Sequence, residues 1–167
     1  MPSETGAAAQ SRWLSEDEQQ TWRAYLAMTA LLPSALDQQL ARESRLSHAT
    51  YIVLAMLSEA PDRSMRMSDL AARVNSSPSR LSHTVTRLEE RGWVVRRPAA
   101  EDGRGSVAQL TDAGWDVVVA TAPGHVAAVR RYLFDVLTEE QVDQLQHIAS
   151  AVLGVLDPDG TKRRRLS

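Results

Sequence analysis

The 167-residue chain contains no cysteine and has only eight aromatic residues. Without cysteine, disulfides, thiolate metal sites, a cysteine nucleophile and cysteine-based redox sensing are all excluded. Residues 1–10 lack the basic flank and apolar core of a signal peptide. No stretch approaches the roughly 18 apolar residues that a membrane span requires. We therefore expect a soluble cytoplasmic protein with no membrane partner.

Catalytic and metal-binding motifs are also lacking. The four histidines are widely separated and do not have the spacing of a metal site; they are His48, His83, His125 and His147. The chain has no glycine-rich phosphate loop and no Gly-x-Ser-x-Gly nucleophile elbow. These absences predict a protein that is not an enzyme and that uses neither a metal nor an organic cofactor.

Charge is unevenly distributed along the chain, although the formal net charge is only −2. Residues 62–105 carry nine arginines against six acidic residues, whereas residues 106–161 carry two against eight. A partner that bears phosphates would be steered to the basic middle segment and repelled by the acidic flanks. A solvated arginine-rich surface is the alternative that charge alone leaves open.

Capping residues and apolar periodicity predict helices along most of the chain. Ser15 with Glu18, and Thr138 with Gln141, have the spacing of a capping box. The other predicted N-caps are Ser47, Ser68, Ser77 and Thr111.

Two prolines fall inside predicted helices. A proline ring removes one backbone donor and crowds the preceding turn. We therefore expect Pro33 to kink the first helix, and Pro123 with Gly124 to interrupt the helix that begins near Asp112.

One helix in the basic middle segment has two contrasting sides. Leu81, Val85 and Leu88 recur at helical spacing, so one side is predicted to be buried, while the opposite side is polar and basic. Gly92 ends this helix, and two short β-rich runs joined by residues 98–105 predict a ribbon. The order of elements predicts a mostly α fold with a small β-wing (α+β). It is a winged helix-turn-helix between long N- and C-terminal helices, of the kind that inserts a helix into the major groove.

Several ordered segments carry a resemblance to a known family. They are Arg66-Met67-Ser68-Asp69-Leu70-Ala71, Ser79-Arg80-Leu81-Ser82-His83, Arg87-Leu88-Glu89, Gly92, Arg96, Asp102-Gly103-Arg104-Gly105 and Leu110-Thr111-Asp112-Ala113-Gly114. With these segments, residues 20–156 resemble the MarR family of winged-helix transcription regulators. The resemblance implies a homodimer that binds a pseudo-palindromic operator in double-stranded DNA, more often as a repressor. It also implies release by a small aromatic, phenolic or other anionic effector.

The resemblance and the composition together predict the organisation of the chain. Residues 1–14 are expected to be a flexible N-terminus and 15–46 the first dimerisation helix. Residues 47–111 are the predicted DNA-binding region, with the recognition helix at about 78–91 and the wing at about 93–111. Residues 112–156 are the predicted C-terminal dimerisation helices, and 157–167 a flexible basic tail.

The predicted DNA-binding residues lie on the recognition helix, at its cap and on the wing. They are Ser77, Ser79, Arg80, Ser82, His83, Thr86, Arg87, Arg96, Arg97, Asp102 and Arg104. The resemblance implies that Asp102 pairs with an arginine and holds the wing, and that Arg104 enters the minor groove. Arg96 is a natural partner for Asp102.

Three of the positions on the recognition helix have a structural alternative. Arg87 could equally form an ion pair with Glu90, Asp69 or another acidic residue. Ser77 and Ser79 are expected to cap the helix first and to contact phosphate second.

An effector pocket is predicted where the first two helices approach the DNA-binding lobe. Its candidate residues are Trp22, Tyr25, Met28, His48, Tyr51 and Met67. Aromatic and methionine side chains at helical spacing more often belong to a core or a dimer interface. His48 is the member of the set that could pair with an anionic ligand.

A function of another class remains open from the sequence alone. A winged helix can serve as a module for protein–protein interaction without specific DNA binding, because a fold does not fix a function. The basic tail at 162–165 is compatible with a DNA arm or with a solubilising end. A binding affinity that falls steeply with salt would favour DNA.

Overall fold

The computed structural model describes residues 12–99 and 105–158, and the chain divides into two compact units, residues 1–34 and 35–167. The helices are α1 (Glu16–Ser44), α2 (His48–Glu59), α3 (Met67–Arg73), α4 (Pro78–Glu90), α5 (Asp112–Tyr132) and α6 (Glu139–Leu156). The strands are β1 (Ser64–Arg66), β2 (Val94–Pro98) and β3 (Ser106–Leu110). Within the described ranges, no helix is long and apolar enough to cross a membrane.

The first unit contains the N-terminal part of α1. The predicted capping box is confirmed, since the Glu18 backbone N–H donates to Ser15 Oγ (3.2 Å) and the Ser15 N–H to Glu18 Oε2 (2.7 Å). Most apolar side chains of this unit are exposed, and the Trp22 and Tyr25 rings stack with centroids 5.8 Å apart. Pro33 lies inside α1.

N-capping in the second unit follows the sequence prediction at four helices and departs from it at α3. The side chains that accept a hydrogen bond from the first helical turn are Ser47, Ser77, Thr111 and Thr138. The prediction of Ser68 as the α3 cap is wrong, because α3 begins at Met67 and Arg66 occupies the cap position. Residues 64–66 pair with β3, so the helix begins where the strand ends.

The sheet is antiparallel with strand order β1-β3-β2. β2 and β3 form the predicted ribbon, with Val94 paired to Leu110 and Pro98 to Ser106. The third strand was not predicted. β1 has three residues, too few to reveal an alternation, and its partner lies more than 40 residues further along the chain. The mostly α fold with a small β-wing is confirmed.

The main core lies beneath the wing and the helix-turn-helix. Leu81, Val85 and Leu88 of α4 are buried as predicted, together with Leu54 and Leu57 of α2. Val94, Ala108 and Leu110 of the sheet close the same cluster. This core fixes the position of α4 and leaves its polar side outside.

The prediction that Pro123 and Gly124 interrupt the fifth helix is wrong, since α5 runs unbroken from Asp112 to Tyr132. Gly124 lies against the C-terminal part of α1, where an added Cβ would come within 2.6 Å of Glu43 Oε2. Thr121 and Ala128 are buried one turn before and after. This packing outweighs the backbone hydrogen bond that the proline removes.

Candidate nucleic-acid interface

The local sequence of α4 sets where the helix begins and which side it exposes. Ser77 Oγ accepts from the Arg80 backbone N–H (3.3 Å), and Pro78 occupies the first turn, where its missing donor costs nothing. Because the leucines and Val85 face the core, Ser79, Arg80 and His83 are exposed on the opposite side. The predicted cap is confirmed, and the polar side of α4 is free to meet a partner.

The arginines on this face carry uncompensated charge. Within residues 12–99 and 105–158, neither Arg80 nor Arg87 forms an ion pair, so the suggested pairing of Arg87 with Glu90 or Asp69 is not formed. Both side chains are exposed. An exposed cation without a carboxylate partner remains available to a phosphate or to a base edge.

Arg96, on β2, is held against α4. Its Nη2 lies 2.6 Å from Glu89 Oε2, its Nε lies 2.7 Å from the same oxygen, and its backbone N–H donates to Glu89 Oε1 (2.9 Å). Its Nη1 donates to Ser82 Oγ (3.2 Å) and its Nη2 donates to Thr86 Oγ1 (2.7 Å). Arg96 therefore joins the wing to the recognition helix through three side chains. The role of Glu89 was not predicted from the sequence. The available signal was an acidic residue in the basic segment, seven positions before Arg96.

The wing is described only at its base. Arg97 is exposed on β2 opposite Val107. Asp102 and Arg104 lie outside the described residues, so their predicted roles and the pairing of Asp102 with Arg96 stay predictions.

The wing base is packed onto α5 through a close backbone approach. Thr111 Oγ1 donates to the Gly92 carbonyl (2.7 Å), and the Thr111 N–H donates to the Trp93 carbonyl (3.0 Å). Gly114 lies directly against the Trp93 carbonyl, where an added Cβ would clash. Gly92 has φ +72°, which only glycine adopts without strain.

A cavity of about 770 Å³ lies between α2 and the helix-turn-helix. Ile52 and Val53 give it an apolar wall, and Arg80 and Arg87 line its other side. Of the predicted effector residues, His48 alone is among the residues that line it. Tyr51 is buried against Leu40 and Leu46, and Met67 packs on the main core; Trp22, Tyr25 and Met28 belong to the first unit. The predicted effector set stays a prediction.

Two histidines meet beside Tyr51 at the junction of α2 and α5. The His125 ring lies 4.7 Å from the Tyr51 ring and 5.9 Å from the His48 ring. Burial lowers the pKa of both histidines; the adjacent His48 lowers that of His125 further, whereas Asp37 partly offsets the effect at His48. Burial raises the pKa of Tyr51. His125 Nδ1 is buried with no hydrogen-bond partner among the described residues.

Known proteins are similar to this chain in sequence and in structure. A model of the MarR family matches residues 39–105. The chain is 31% identical to the HTH-type transcriptional repressor MdtR of Bacillus subtilis over 111 residues, which are 66% of this chain and 70% of MdtR. It is 27% identical to the transcriptional repressor MprA of Escherichia coli over 67% of this chain, and the match spans 63% of the length of MprA.

Solved structures are similar along almost the whole chain, and one of them contains DNA. It is that of Sco3205, a MarR family transcriptional regulator from Streptomyces coelicolor in complex with DNA, which is 45% identical with a TM-score of 0.85. The similarity covers 90% of this chain and 94% of Sco3205.

Proposed function

The chain belongs to the MarR family of transcriptional regulators, and on that premise we propose that it is a repressor that binds a pseudo-palindromic operator in double-stranded DNA as a homodimer. The winged helix-turn-helix region, residues 47–111, contacts the DNA, and the helices on either side pair the two copies. The protein works in the cytoplasm and acts by binding rather than by catalysis.

The observation that carries the proposal is the exposed cationic side of α4. Arg80 and Arg87 lack carboxylate partners within the described chain, and the core residues of α4 hold both side chains on the outer face. The N-terminal part of such a helix contacts base edges in the major groove, while arginines on its flank neutralise phosphates. Sco3205, at 45% identity, is in complex with DNA.

The homodimer is supported by the apolar side of α6. No residue of this helix is buried within the single chain, and Ile148 and Val155 are 61% and 81% exposed. Burying apolar surface stabilises a protein by about 25 cal/mol per Å², and these exposed side chains do not gain that free energy within a single chain. A second copy of the same helix would cover this side and place the two α4 helices one helical turn of DNA apart, about 34 Å.

The test is fluorescence anisotropy of the full-length protein on a duplex of about 30 bp, selected by the protein from a randomised library and long enough for two half-sites. Arg80→Ala and Arg87→Ala should each weaken binding and reduce the slope of log affinity against log salt by about one. Arg12→Ala removes the same charge outside the proposed interface and is the control. Equal affinity for a scrambled duplex, unaffected by these substitutions, would favour the protein–protein module instead.

We propose that the cavity between α2 and the helix-turn-helix binds a small ligand. An apolar wall opposite two arginines fits a small aromatic anion. Such a ligand would compete with DNA for Arg80 and Arg87, because the same side chains line the cavity and the exposed side of α4. Binding would then release the operator.

Benzoate and larger aromatic carboxylates are suitable probes of this effector site. They should dissociate the complex with the selected duplex. Ala49→Trp, which fills the cavity from α2, should preserve DNA binding and abolish the release. Release that is unchanged in Ala49→Trp would place the effector elsewhere. The next candidates would be the predicted residues that do not line the cavity, which are Trp22, Tyr25, Met28, Tyr51 and Met67.

A further inference from the structure

Three hydroxyl side chains in the middle of α4 differ in whether their protons are donated within the helix. Thr84 Oγ1 donates to the Arg80 carbonyl (3.1 Å), and Thr86 Oγ1 donates to the Ser82 carbonyl (2.9 Å). Both protons are therefore used within the helix. Ser82 Oγ instead accepts from Arg96 Nη1 (3.2 Å), and within residues 12–99 and 105–158 no acceptor takes its proton. Ser82 carries the unused donor.

The direction of that donor follows from what a guanidinium can do. Arginine has donors and no acceptor, so a hydroxyl that accepts from it must turn its own proton elsewhere. Arg96 cannot readily swing away, because its backbone N–H and its Nε are both held by the Glu89 carboxylate. The pair is partly buried, with 29% of each side chain exposed, which limits competition by water.

We propose that Ser82 donates a hydrogen bond to an acceptor atom of the operator, and that Glu89 and Arg96 are positioning residues that turn its proton outward. The inference rests on the proposed function and specifies the chemistry of one contact. The acceptors available in DNA are a phosphate oxygen and, in the major groove, N7 of a purine, O6 of guanine or O4 of thymine. Thr86, whose proton is already used, has no donor left to offer.

The first experiment removes the donor. Ser82→Ala should weaken binding of the selected duplex about tenfold, the effect of one hydrogen bond of roughly 1.4 kcal/mol. Ser58→Ala is the matched control, because it deletes a partly buried helical hydroxyl whose proton is donated to the Ala55 carbonyl. It should bind as the wild type does.

The second experiment tests the positioning role by a thermodynamic cycle. Glu89→Gln should weaken binding of the duplex several-fold, and in that background Ser82→Ala should cost less than about twofold, because the proton is no longer directed. If the losses of binding free energy from the two substitutions add fully in the double variant, the positioning role is wrong. Tighter binding by Glu89→Gln with a steeper salt dependence would overturn it too, since a released Arg96 would then contact phosphate itself.

The acceptor is identified by modifying the duplex. Each base pair of the selected site is replaced in turn, and each phosphate is replaced by a neutral methylphosphonate. When the modified group is the acceptor of the Ser82 hydrogen bond, wild type and Ser82→Ala should bind that modified duplex with equal affinity. If wild type and Ser82→Ala bind the unmodified duplex equally, this inference fails while the proposed function stands. If the wild-type protein prefers no sequence, the proposed function itself fails.

Discussion

The recognition helix α4 and the C-terminal helix α6 both carry an apolar stripe, yet only α4 buries its stripe within the chain. Leu81, Val85 and Leu88 are essentially inaccessible to solvent, whereas no residue of α6 is buried. The position of α4 is thus fixed by contacts within one chain. The C-terminal helix has an apolar side that we expect a second copy to complete.

The largest expected effect comes from the core beneath α4. Leu81→Ala removes a side chain that is 1% exposed and should lower the free energy of unfolding by about 3 kcal/mol. Val155→Ala, at 81% exposed, should change it by less than about 0.5 kcal/mol at a protein concentration low enough to favour monomers. Urea unfolding measures both. Similar losses of unfolding free energy for the two variants would show that Val155 of α6 packs in the core of the single chain.

The dimer contact should respond to a charge on the apolar side of α6. Ile148→Asp is expected to weaken self-association by about 2 kcal/mol, because the carboxylate would lose water at the contact. Gln146→Asp adds the same charge at an exposed polar position of the same helix and is the control. Sedimentation equilibrium gives the two dissociation constants. Equal dimer dissociation constants for the two variants would mean that α6 does not form the contact between the two copies.

The junction between the wing and α5 should be sensitive to a single methyl group. Gly114→Ala places a Cβ against the Trp93 carbonyl and should cost about 1–2 kcal/mol of unfolding free energy. Ala113→Ser, at the exposed neighbouring position, should be neutral within about 0.5 kcal/mol. Thermal unfolding of the two variants provides the measurement. An unchanged melting temperature for Gly114→Ala would argue against the close approach.

The smallest expected effect is a pH dependence from the histidine pair. Because burial lowers the pKa of His48 and His125 below the ordinary 6.5, protons bind the unfolded chain first. Stability should therefore fall as pH drops below about 6.5 and level off above it. The groups facing the pair include Asp37 and Tyr51. His125→Phe should flatten this dependence in urea unfolding at pH 5 to 8, and an identical curve for the variant would contradict the assignment.

The sequence predicted the DNA lobe well because its signals are local. The caps Ser77 and Thr111, the stripe from Leu81 to Leu88 and the terminating Gly92 depend on neighbours within a few residues. Periodicity and capping chemistry report such neighbours directly.

What the sequence missed depends on contacts between distant segments. β1 is recognisable only through its pairing with β3, and α5 continues past Pro123 because α1 packs against Gly124. The Glu89–Arg96 pair joins a helix to a strand, and it changes how the hydroxyls of Ser82 and Thr86 are used. Spacing alone could place these four residues near one another but could not assign their donors and acceptors.

The most direct test of the central proposal is the spacing of the two half-sites in the selected duplex. Two α4 helices held by one dimer require half-sites one helical turn apart, so an insertion of about 5 bp moves one half-site to the opposite face of the DNA. We predict that anisotropy will show the affinity of the inserted duplex falling to that of a single half-site. An insertion of about 10 bp should not restore the affinity, because it returns the half-site to the same face of the DNA but at twice the separation. An affinity that is unchanged by either insertion would contradict recognition by a paired winged helix.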